Sequence, residues 1–141
     1  MIRVVLDTNI VVSAMLRTAG LPYSVLSLGL ARRLRMCVSE PVLAEYEEVL
    51  RRPRFGITDE RIAEVMGGIR ASSLLVQPTV AVTAARDPDD NIFLECAQTA
   101  EARYLITGNI ADYPDTWAGT RVLTVRLFFE LGVDFRPVKG I

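Results

Sequence analysis

The amino-acid sequence predicts an α/β fold of three layers, in which helices flank a central, mainly parallel β-sheet. Three observations support this prediction. Short apolar runs alternate with longer segments that carry apolar residues at helical spacing. Runs such as Val4-Val5-Leu6 and Leu105-Ile106 are uninterrupted, which is typical of strands buried on both faces. Neither a repeat nor a linker-like stretch divides the chain, so we expect a single domain over residues 1–141.

Capping residues and prolines mark the helices of the first half. Asp7-Thr8-Asn9 can cap the apolar run after the first strand, and Pro22 suits a helix start. Pro53 ends an amphipathic helix, and Thr58 begins the next one. The predicted elements are a strand at Ile2–Leu6, helical runs at Ile10–Leu16 and Tyr23–Arg32, a strand at Leu34–Val38, and helices at Ser39–Arg51 and Asp59–Ser72.

The second half continues the alternation of strands and helices. Asp87-Pro88-Asp89-Asp90 opens a helix with Phe93 and Cys96 on its apolar side. The other predicted elements are strands at Leu74–Val76, Tyr104–Thr107 and Val122–Val125, and a short helix at Arg126–Leu131 before an extended tail. Because strands separated by helices are joined by crossovers, the sheet should be mainly parallel.

The composition removes several classes of chemistry. The chain has 16 basic and 17 acidic residues, no histidine, and lysine only at Lys139. Histidine-based catalysis, histidine-ligated zinc and lysine-dependent P-loop or Schiff-base mechanisms are therefore excluded. Any catalysis would depend on carboxylates, hydroxyl groups, arginines or a metal ion held by oxygen.

The cysteines and the lengths of the apolar runs bear on the cellular compartment of the protein. Cys37 and Cys96 lie far apart in apolar surroundings, which favours two buried thiols in a reduced protein over a disulfide. The opening residues reach Asp7 too soon for a signal peptide, and no apolar run approaches membrane-spanning length. We therefore expect a cytoplasmic protein with no membrane association.

Acidic residues recur just beyond the predicted strands, and ligand sites of open α/β sheets form at that carboxyl edge. Gathered carboxylates repel one another and favour a bound cation, and oxygen ligands select Mg²⁺ or Mn²⁺. Phosphodiester hydrolysis fits such a site, because it needs charge neutralisation and activated water but no histidine. The residues concerned are Asp7, Glu45, Asp87, Asp89, Asp90 and Asp112.

Taken singly, each acidic residue has a simpler explanation. Asp7 and the Asp87 segment are suitable helix caps, Glu45 is an ordinary surface charge, and Asn109 and Asp112 are common in turns. The ordered recurrence of acids across successive crossovers is what indicates a site.

Four segments resemble the motifs of PIN-domain ribonucleases. The resemblance runs from Met1 to about Leu131 and is nearest to the VapC-like toxin components of bacterial and archaeal toxin–antitoxin pairs. The segments are Asp7-Thr8-Asn9 after a strand, Ser39-Glu40-Pro41-Val42-Leu43-Ala44-Glu45-Tyr46, Asp87-Pro88-Asp89-Asp90-Asn91-Ile92-Phe93-Leu94-Glu95-Cys96-Ala97, and Leu105-Ile106-Thr107-Gly108-Asn109-Ile110-Ala111-Asp112-Tyr113.

The resemblance implies a single PIN-like domain that cuts single-stranded RNA with Mg²⁺ or Mn²⁺, forms a homodimer and is silenced by a cognate antitoxin. Many members place an acid directly after Thr-Gly, where this chain has Asn109. Others have Thr-x-Asn-x-x-Asp-Phe, which this chain matches with Tyr113 in place of the phenylalanine. The resemblance therefore implies that Asp112 is the fourth carboxylate and that Asn109 assists it.

The resulting hypothesis assigns a role to each site residue. Asp7, Glu45, Asp90 and Asp112 would be the catalytic, metal-holding carboxylates. Around them Thr8, Asn9 and Thr107 would orient ligands or water, and Asp87 is an additional candidate. Arginines would bind the RNA backbone, because their planar fork matches phosphate, although a solvated helix end explains each group as well. These arginines are Arg32, Arg33, Arg35, Arg51, Arg52 and Arg54.

Other classes fit less well. A dehalogenase-like phosphatase needs a second aspartate where this chain has Asn9, and a receiver domain needs an acid pair at the first strand and a lysine late in the fold. The main alternative is a catalytically silent PIN-like module that binds RNA or protein.

Overall fold

The computed structural model describes residues 1–132, which form six strands and six α-helices. The strands are β1 (Arg3–Leu6), β2 (Arg35–Val38), β3 (Leu74–Leu75), β4 (Tyr104–Ile106), β5 (Thr116–Trp117) and β6 (Thr120–Leu123). The helices are α1 (Thr8–Leu16), α2 (Leu21–Leu30), α3 (Glu40–Leu50), α4 (Asp59–Ser72), α5 (Asn91–Ala100) and α6 (Val125–Glu130). Short 3-10 turns lie at Pro53–Phe55, Pro88–Asp90 and Ile110–Asp112.

The strands form one sheet in the order β3-β2-β1-β4-β6-β5. All neighbouring strands are parallel except β5 and β6, which pair as an antiparallel hairpin. β1 is central, with β2 on one side and β4 on the other, and Leu6 lies opposite Ile106. The predicted α/β fold with a mainly parallel sheet is confirmed, and β1, β2 and β4 all end at the same edge.

Several element boundaries differ from those predicted. β5 was missed, because a two-residue strand followed by a turn at Ala118 and Gly119 carries no periodic signal. The second helix ends at Leu30 instead of Arg32, whose backbone has a φ of 58°. The last strand ends at Leu123, because the Thr124 side chain caps α6. The predicted extended tail lies outside the described residues.

The core lies between the sheet and its helices and fixes one helix over the end of β1. Val5 of β1 and Leu105 of β4 are fully buried, and the rings of Tyr46 in α3 and Phe93 in α5 lie 6.4 Å apart. The Tyr46 hydroxyl donates a hydrogen bond to the Leu6 carbonyl. Since Leu6 ends β1, this bond ties α3 to the carboxyl edge of the sheet.

Two further expectations concern cysteines and membranes. Cys37 and Cys96 are buried and unpaired, and burial raises the pKa of their thiols to about 11 and about 12. Within residues 1–132, no single helix has the length and apolar character to cross a bilayer; α1 and α2, which meet at 103°, meet the criterion only as a bent pair and only by length and composition.

Candidate active site

An open cavity of about 520 Å³ lies at the carboxyl edge of the sheet, where the chain leaves β1 and β4. All four predicted catalytic carboxylates line it, although they come from positions as far apart as Asp7 and Asp112. Its polar lining consists of Asp7, Thr8, Asn9, Ser13, Glu45, Arg52, Arg54, Asp87, Asp89, Asp90, Asn109 and Asp112. We refer to this cavity as the acid pocket.

Asp7 is the most deeply placed of these carboxylates, with 5% of its surface exposed. Its position follows from the fold, because β1 ends at Leu6 and Asp7 caps α1 by accepting a 2.7 Å hydrogen bond from the Thr8 N–H. Its other oxygen accepts from the hydroxyls of Thr107 at 2.8 Å and Tyr113 at 2.9 Å. Burial raises the pKa of Asp7 despite these bonds, which act in the opposite direction.

Glu45 reaches the acid pocket from α3 and is half-buried. The Thr8 hydroxyl donates a hydrogen bond to the Glu45 carboxylate, so the first turn of α1 contacts α3 at the pocket wall. Burial is the main cause that raises the pKa of Glu45, and the charges of Asp7 and Glu48 add to it. The neighbouring Glu47 and Glu48 are exposed and pair with arginines one helical turn on.

Asp90 ends the 3-10 turn before α5, and its pKa is raised to about 7. The first cause is burial, followed by repulsion from Asp7 and Asp87. Asp87 caps the turn by accepting a 3.0 Å bond from the Asp89 N–H. The Asn91 side-chain oxygen accepts a 2.8 Å bond from the Ala85 N–H, which holds the incoming loop against α5.

The loop after β4 supplies the fourth carboxylate. The Thr107 hydroxyl accepts a 3.0 Å bond from the Asn109 N–H while donating to Asp7. The Asn9 side-chain oxygen accepts a 2.9 Å bond from the Gly108 N–H, which joins the start of α1 to this loop. Asp112 is half-buried, and its charge contributes to the raised pKa values of both Asp7 and Asp90.

The predicted arginines separate into two groups. Arg52 and Arg54 line the acid pocket, whereas Arg51 lies outside it and pairs with Asp59 at 3.1 Å. Arg32 and Arg33 precede β2 and Arg35 opens it, so these three residues lie toward the opposite, amino edge of the sheet. The structure does not bring them to the carboxylates, and their proposed contact with RNA stays a prediction.

One site feature was not anticipated from the sequence. Tyr113 was regarded only as a replacement for phenylalanine, yet its hydroxyl bonds to Asp7. Asp89, which was expected among the acids of this edge but was given no role, lines the acid pocket together with Asp90. The Thr-x-Asn-x-x-Asp-Tyr pattern did contain a signal for this role of Tyr113, because a tyrosine placed inside a pocket needs a hydrogen-bond partner for its hydroxyl.

The donor set suits a hard cation, since every ionisable ligand candidate in the acid pocket is an oxygen acid. Within residues 1–132, however, no three acidic or cysteine side chains stand close enough to ligate one ion as they are placed. Asp7 and Glu45 instead accept hydrogen bonds from neighbouring hydroxyls.

A parallel sheet with a carboxylate-lined pocket at its carboxyl edge defines an α/β protein with an acidic ligand site. Residues 3–111 match the family model described as PIN domain, and the chain belongs to the PIN-domain family. The match includes Asp7, Glu45 and Asp90 and ends one residue before Asp112. It confirms the family resemblance of the motifs.

Two similar proteins accompany the family match. An uncharacterized protein of Methanocaldococcus jannaschii is 28% identical over 111 residues, which cover 77% of this chain and 71% of that protein. The fold is similar to the crystal structure of VapBC2 from Rickettsia felis bound to a DNA fragment from their promoter. That similarity has a TM-score of 0.55 and 18% identity and covers 86% of this chain and 98% of the other. It supports the PIN-like fold.

The raised pKa values predict how stability depends on pH without divalent cations. Because the pKa of folded Asp90 is about 7 against an ordinary 3.8, the folded chain binds this proton more tightly than the unfolded chain. The stabilisation that this proton gives to the folded state is complete below the ordinary pKa of 3.8. It is lost as the pH rises through the folded-state pKa of about 7. We expect the Tm in EDTA to fall between about pH 4 and about pH 7.

The Asp90→Asn variant should reduce that dependence, because it removes the titrating group. The control is Asp115→Asn, an exposed aspartate outside the acid pocket. Thermal melts in EDTA across the range measure the effect, and an unchanged slope in Asp90→Asn would contradict the assignment.

The hydrogen bond from Tyr113 predicts a cost of losing its hydroxyl. Tyr113→Phe leaves a buried Asp7 oxygen with one donor fewer, which should lower the free energy of unfolding by about 1–3 kcal/mol. Urea denaturation in EDTA measures it. Tyr23→Phe, at an exposed tyrosine, is the matched control and should leave stability unchanged. If both variants were equally stable, the hydrogen bond from Tyr113 to Asp7 would not contribute to stability.

Proposed function

We propose that this chain is a divalent-metal-dependent endoribonuclease that hydrolyses single-stranded RNA in the cytoplasm, as the toxin of a toxin–antitoxin pair. The observation that carries the proposal is the meeting of Asp7, Glu45, Asp90 and Asp112 around one open pocket. Membership of the PIN-domain family supports nuclease chemistry, and burial together with neighbouring negative charges raises the pKa of Glu45 and Asp90, which is common at functional sites.

Mg²⁺ or Mn²⁺ would be held by these four carboxylates, directly or through water. When bound, such an ion polarises the phosphoryl oxygen, lowers the pKa of water and stabilises the departing oxygen. A cation would also relieve the repulsion among carboxylates, which adds to the effect of burial in raising the pKa of Asp90.

The remaining residues orient the carboxylates and the substrate. Thr107 and Tyr113 fix the Asp7 oxygen that faces them, and Thr8 does the same for Glu45. Arg52 and Arg54 would bind backbone phosphates of the RNA at the mouth of the acid pocket, through bidentate hydrogen bonds. Asp87 caps its turn and adds negative charge beside Asp90.

A catalytically silent PIN-like binding module is the second candidate. It is favoured by one observation: no three acidic side chains of residues 1–132 converge on a common point. Cleavage of RNA that depends on Mg²⁺ and on the acid-pocket carboxylates discriminates between the two functions.

Partners are part of the proposal. A cognate antitoxin would place an arginine among Asp7, Glu45 and Asp90 and substitute for the cation; the fold similarity to VapBC2 supports a partner of this kind. A homodimer would cover the apolar surface of α2, where Leu21 and Tyr23 are exposed.

Removing single carboxylates tests the catalytic assignment. Asp7→Asn, Glu45→Gln and Asp90→Asn should each lower Mg²⁺-dependent cleavage of a single-stranded RNA by at least about 100-fold, because each removes charge that the reaction needs. Asp112→Asn should have a smaller effect, since Asn109 lies beside it in the acid pocket. Initial cleavage rates of a labelled oligonucleotide measure these effects.

Controls come from the same helix. Glu47→Gln removes an exposed carboxylate outside the acid pocket and should stay within about twofold of wild type. Glu48→Gln also lies outside the pocket but frees Arg52 from its ion pair, so its effect should be confined to KM. Arg52→Gln should mainly raise KM, whereas Arg51→Gln should not. A loss in Glu47→Gln as large as in Glu45→Gln would show that the wrong face of α3 was assigned.

Competition tests the antitoxin. If its arginine replaces the cation, saturation with antitoxin should abolish the rise in Tm that Mg²⁺ causes in the chain alone. Titration calorimetry of Mg²⁺ into the chain and into the complex measures the competition. Inhibition of cleavage with intact Mg²⁺ binding would mean that the antitoxin blocks the RNA path instead.

Sedimentation tests the homodimer. The chain at micromolar concentration should sediment at twice its 15.6 kDa mass. Tyr23→Glu should produce monomers, because it places a charge in the proposed contact, whereas Leu75→Glu, at an equally exposed position on β3, should not. A monomeric wild-type chain would refute the dimer.

A further inference from the structure

Four neighbouring strands each carry an arginine at or next to their first residue. Arg3 opens β1 and Arg35 opens β2, Arg103 directly precedes β4, and Arg121 is the second residue of β6. Because these strands are parallel and adjacent, all four arginines lie at the amino edge of the sheet. We refer to them as the amino-edge arginines.

The strand register places three of these residues in one row. Arg3 lies opposite Arg35, and pairing of Val4 with Tyr104 puts Arg103 opposite Arg3 on the other side. Residues that lie opposite each other project from the same face of the sheet, so the backbones of these three arginines follow one another at the strand spacing of about 4.8 Å. The Arg121 backbone N–H donates a 3.0 Å hydrogen bond to the Arg103 carbonyl, which adds β6 to this edge. Because Arg121 lies opposite Tyr104, it projects to the other face of the sheet.

The positive charge at this edge is not paired directly. Within residues 1–132, none of the amino-edge arginines forms an ion pair with an acidic side chain. Arg3 donates a 2.9 Å hydrogen bond to the Ala100 carbonyl, which anchors it, and Arg103 lies 5.7 Å from the Tyr104 ring centroid. A cavity of about 340 Å³ opens between Arg3 and Arg35, lined also by Met1 and Leu74.

We propose that the amino-edge arginines form a second binding site, which takes the phosphate backbone of a nucleic acid at the end of the sheet opposite to the acid pocket. Arg3 and Asp7 stand at the two ends of β1, about 13 Å apart along the strand at about 3.3 Å per residue. This site does not depend on the proposed ribonuclease activity, because its arginines are separate from the acid-pocket residues.

Phosphate fits this row better than an acidic protein segment. A nucleic acid carries one negative charge on every residue whatever its sequence, so it can neutralise neighbouring guanidinium groups in turn. An acidic peptide would have to supply a carboxylate at each matching position.

Charged residues that flank apolar strands also discourage aggregation, which is the competing explanation. That role does not require charges of one sign at adjacent positions. Adjacent like charges repel, and a polyanion relieves the repulsion.

Binding in EDTA tests the proposal, since without a divalent cation the acid pocket repels RNA. Fluorescence anisotropy of a labelled single-stranded RNA should show that Arg35→Gln/Arg103→Gln raises Kd by about tenfold or more. The slope of log K against log salt should fall by about 1.4, which is about 0.7 for each lost phosphate contact. The same assay with single-stranded and duplex DNA identifies which nucleic acid binds best. The proposal predicts that at least one of these nucleic acids binds more tightly than polyglutamate.

Controls separate charge from folding. Arg35→Lys/Arg103→Lys keeps both charges and should retain most of the wild-type salt slope, while Arg126→Gln, beyond the carboxyl end of β6, should leave Kd within about twofold. Melting temperatures establish that each variant is folded. Unchanged binding in the Gln variant, an equal loss in the Lys variant, or displacement of RNA by polyglutamate at equal charge would each overturn the proposal. Failure of RNA cleavage in Mg²⁺ would remove the proposed function and leave this site intact.

Discussion

The buried carboxylate of Asp7 is the constraint on which the acid pocket depends. Burying a charge is costly unless hydrogen-bond donors surround it, and the donors come from three parts of the chain: the start of α1, the end of β4 and the loop after it. Parallel pairing of β1 with β4 places Thr107 beside Asp7, and the 3-10 turn before Tyr113 turns that hydroxyl inward. Each donor is therefore positioned by the fold, and the carboxylate in turn joins elements that are distant in sequence.

A net charge of -1 conceals a strong separation of charge along the strands. The carboxyl edge carries six acidic residues around the acid pocket, and the amino edge carries an arginine on four adjacent strands. The parallel part of the sheet produces this separation directly. Because β2, β1, β4 and β6 all point the same way, a residue type that recurs at their starts accumulates at one edge. The two ends therefore differ in the ions that they attract, and overall composition says nothing of this difference.

Much of the fold could be predicted from the sequence, whereas the site was predicted unevenly. Asp7 could be placed because it directly follows an uninterrupted apolar strand, but Glu45 needed the family resemblance, since helix periodicity does not say which face of α3 crosses the sheet edge. The roles of Arg51 and Arg52 could not be separated, because adjacent helical residues point about 100° apart and only the packing of α3 decides which reaches the pocket. Tyr113 and β5 depend on loop geometry, for which the sequence carries no periodic signal.

Repulsion within the acid pocket links its proton and cation chemistry. The negative charge of Asp90 is unfavourable beside the other carboxylates. A proton bound to Asp90 removes that charge up to about pH 7. A divalent cation would compete for the same negative charge, so its apparent affinity must fall as protons become available. Asp7 differs from Asp90 in this respect, because fixed hydroxyl donors already offset part of its charge. Hydrogen bonds from Thr107 and Tyr113 thus hold the Asp7 carboxylate in place, whereas the pKa of about 7 makes Asp90 a carboxylate whose charge changes near neutral pH.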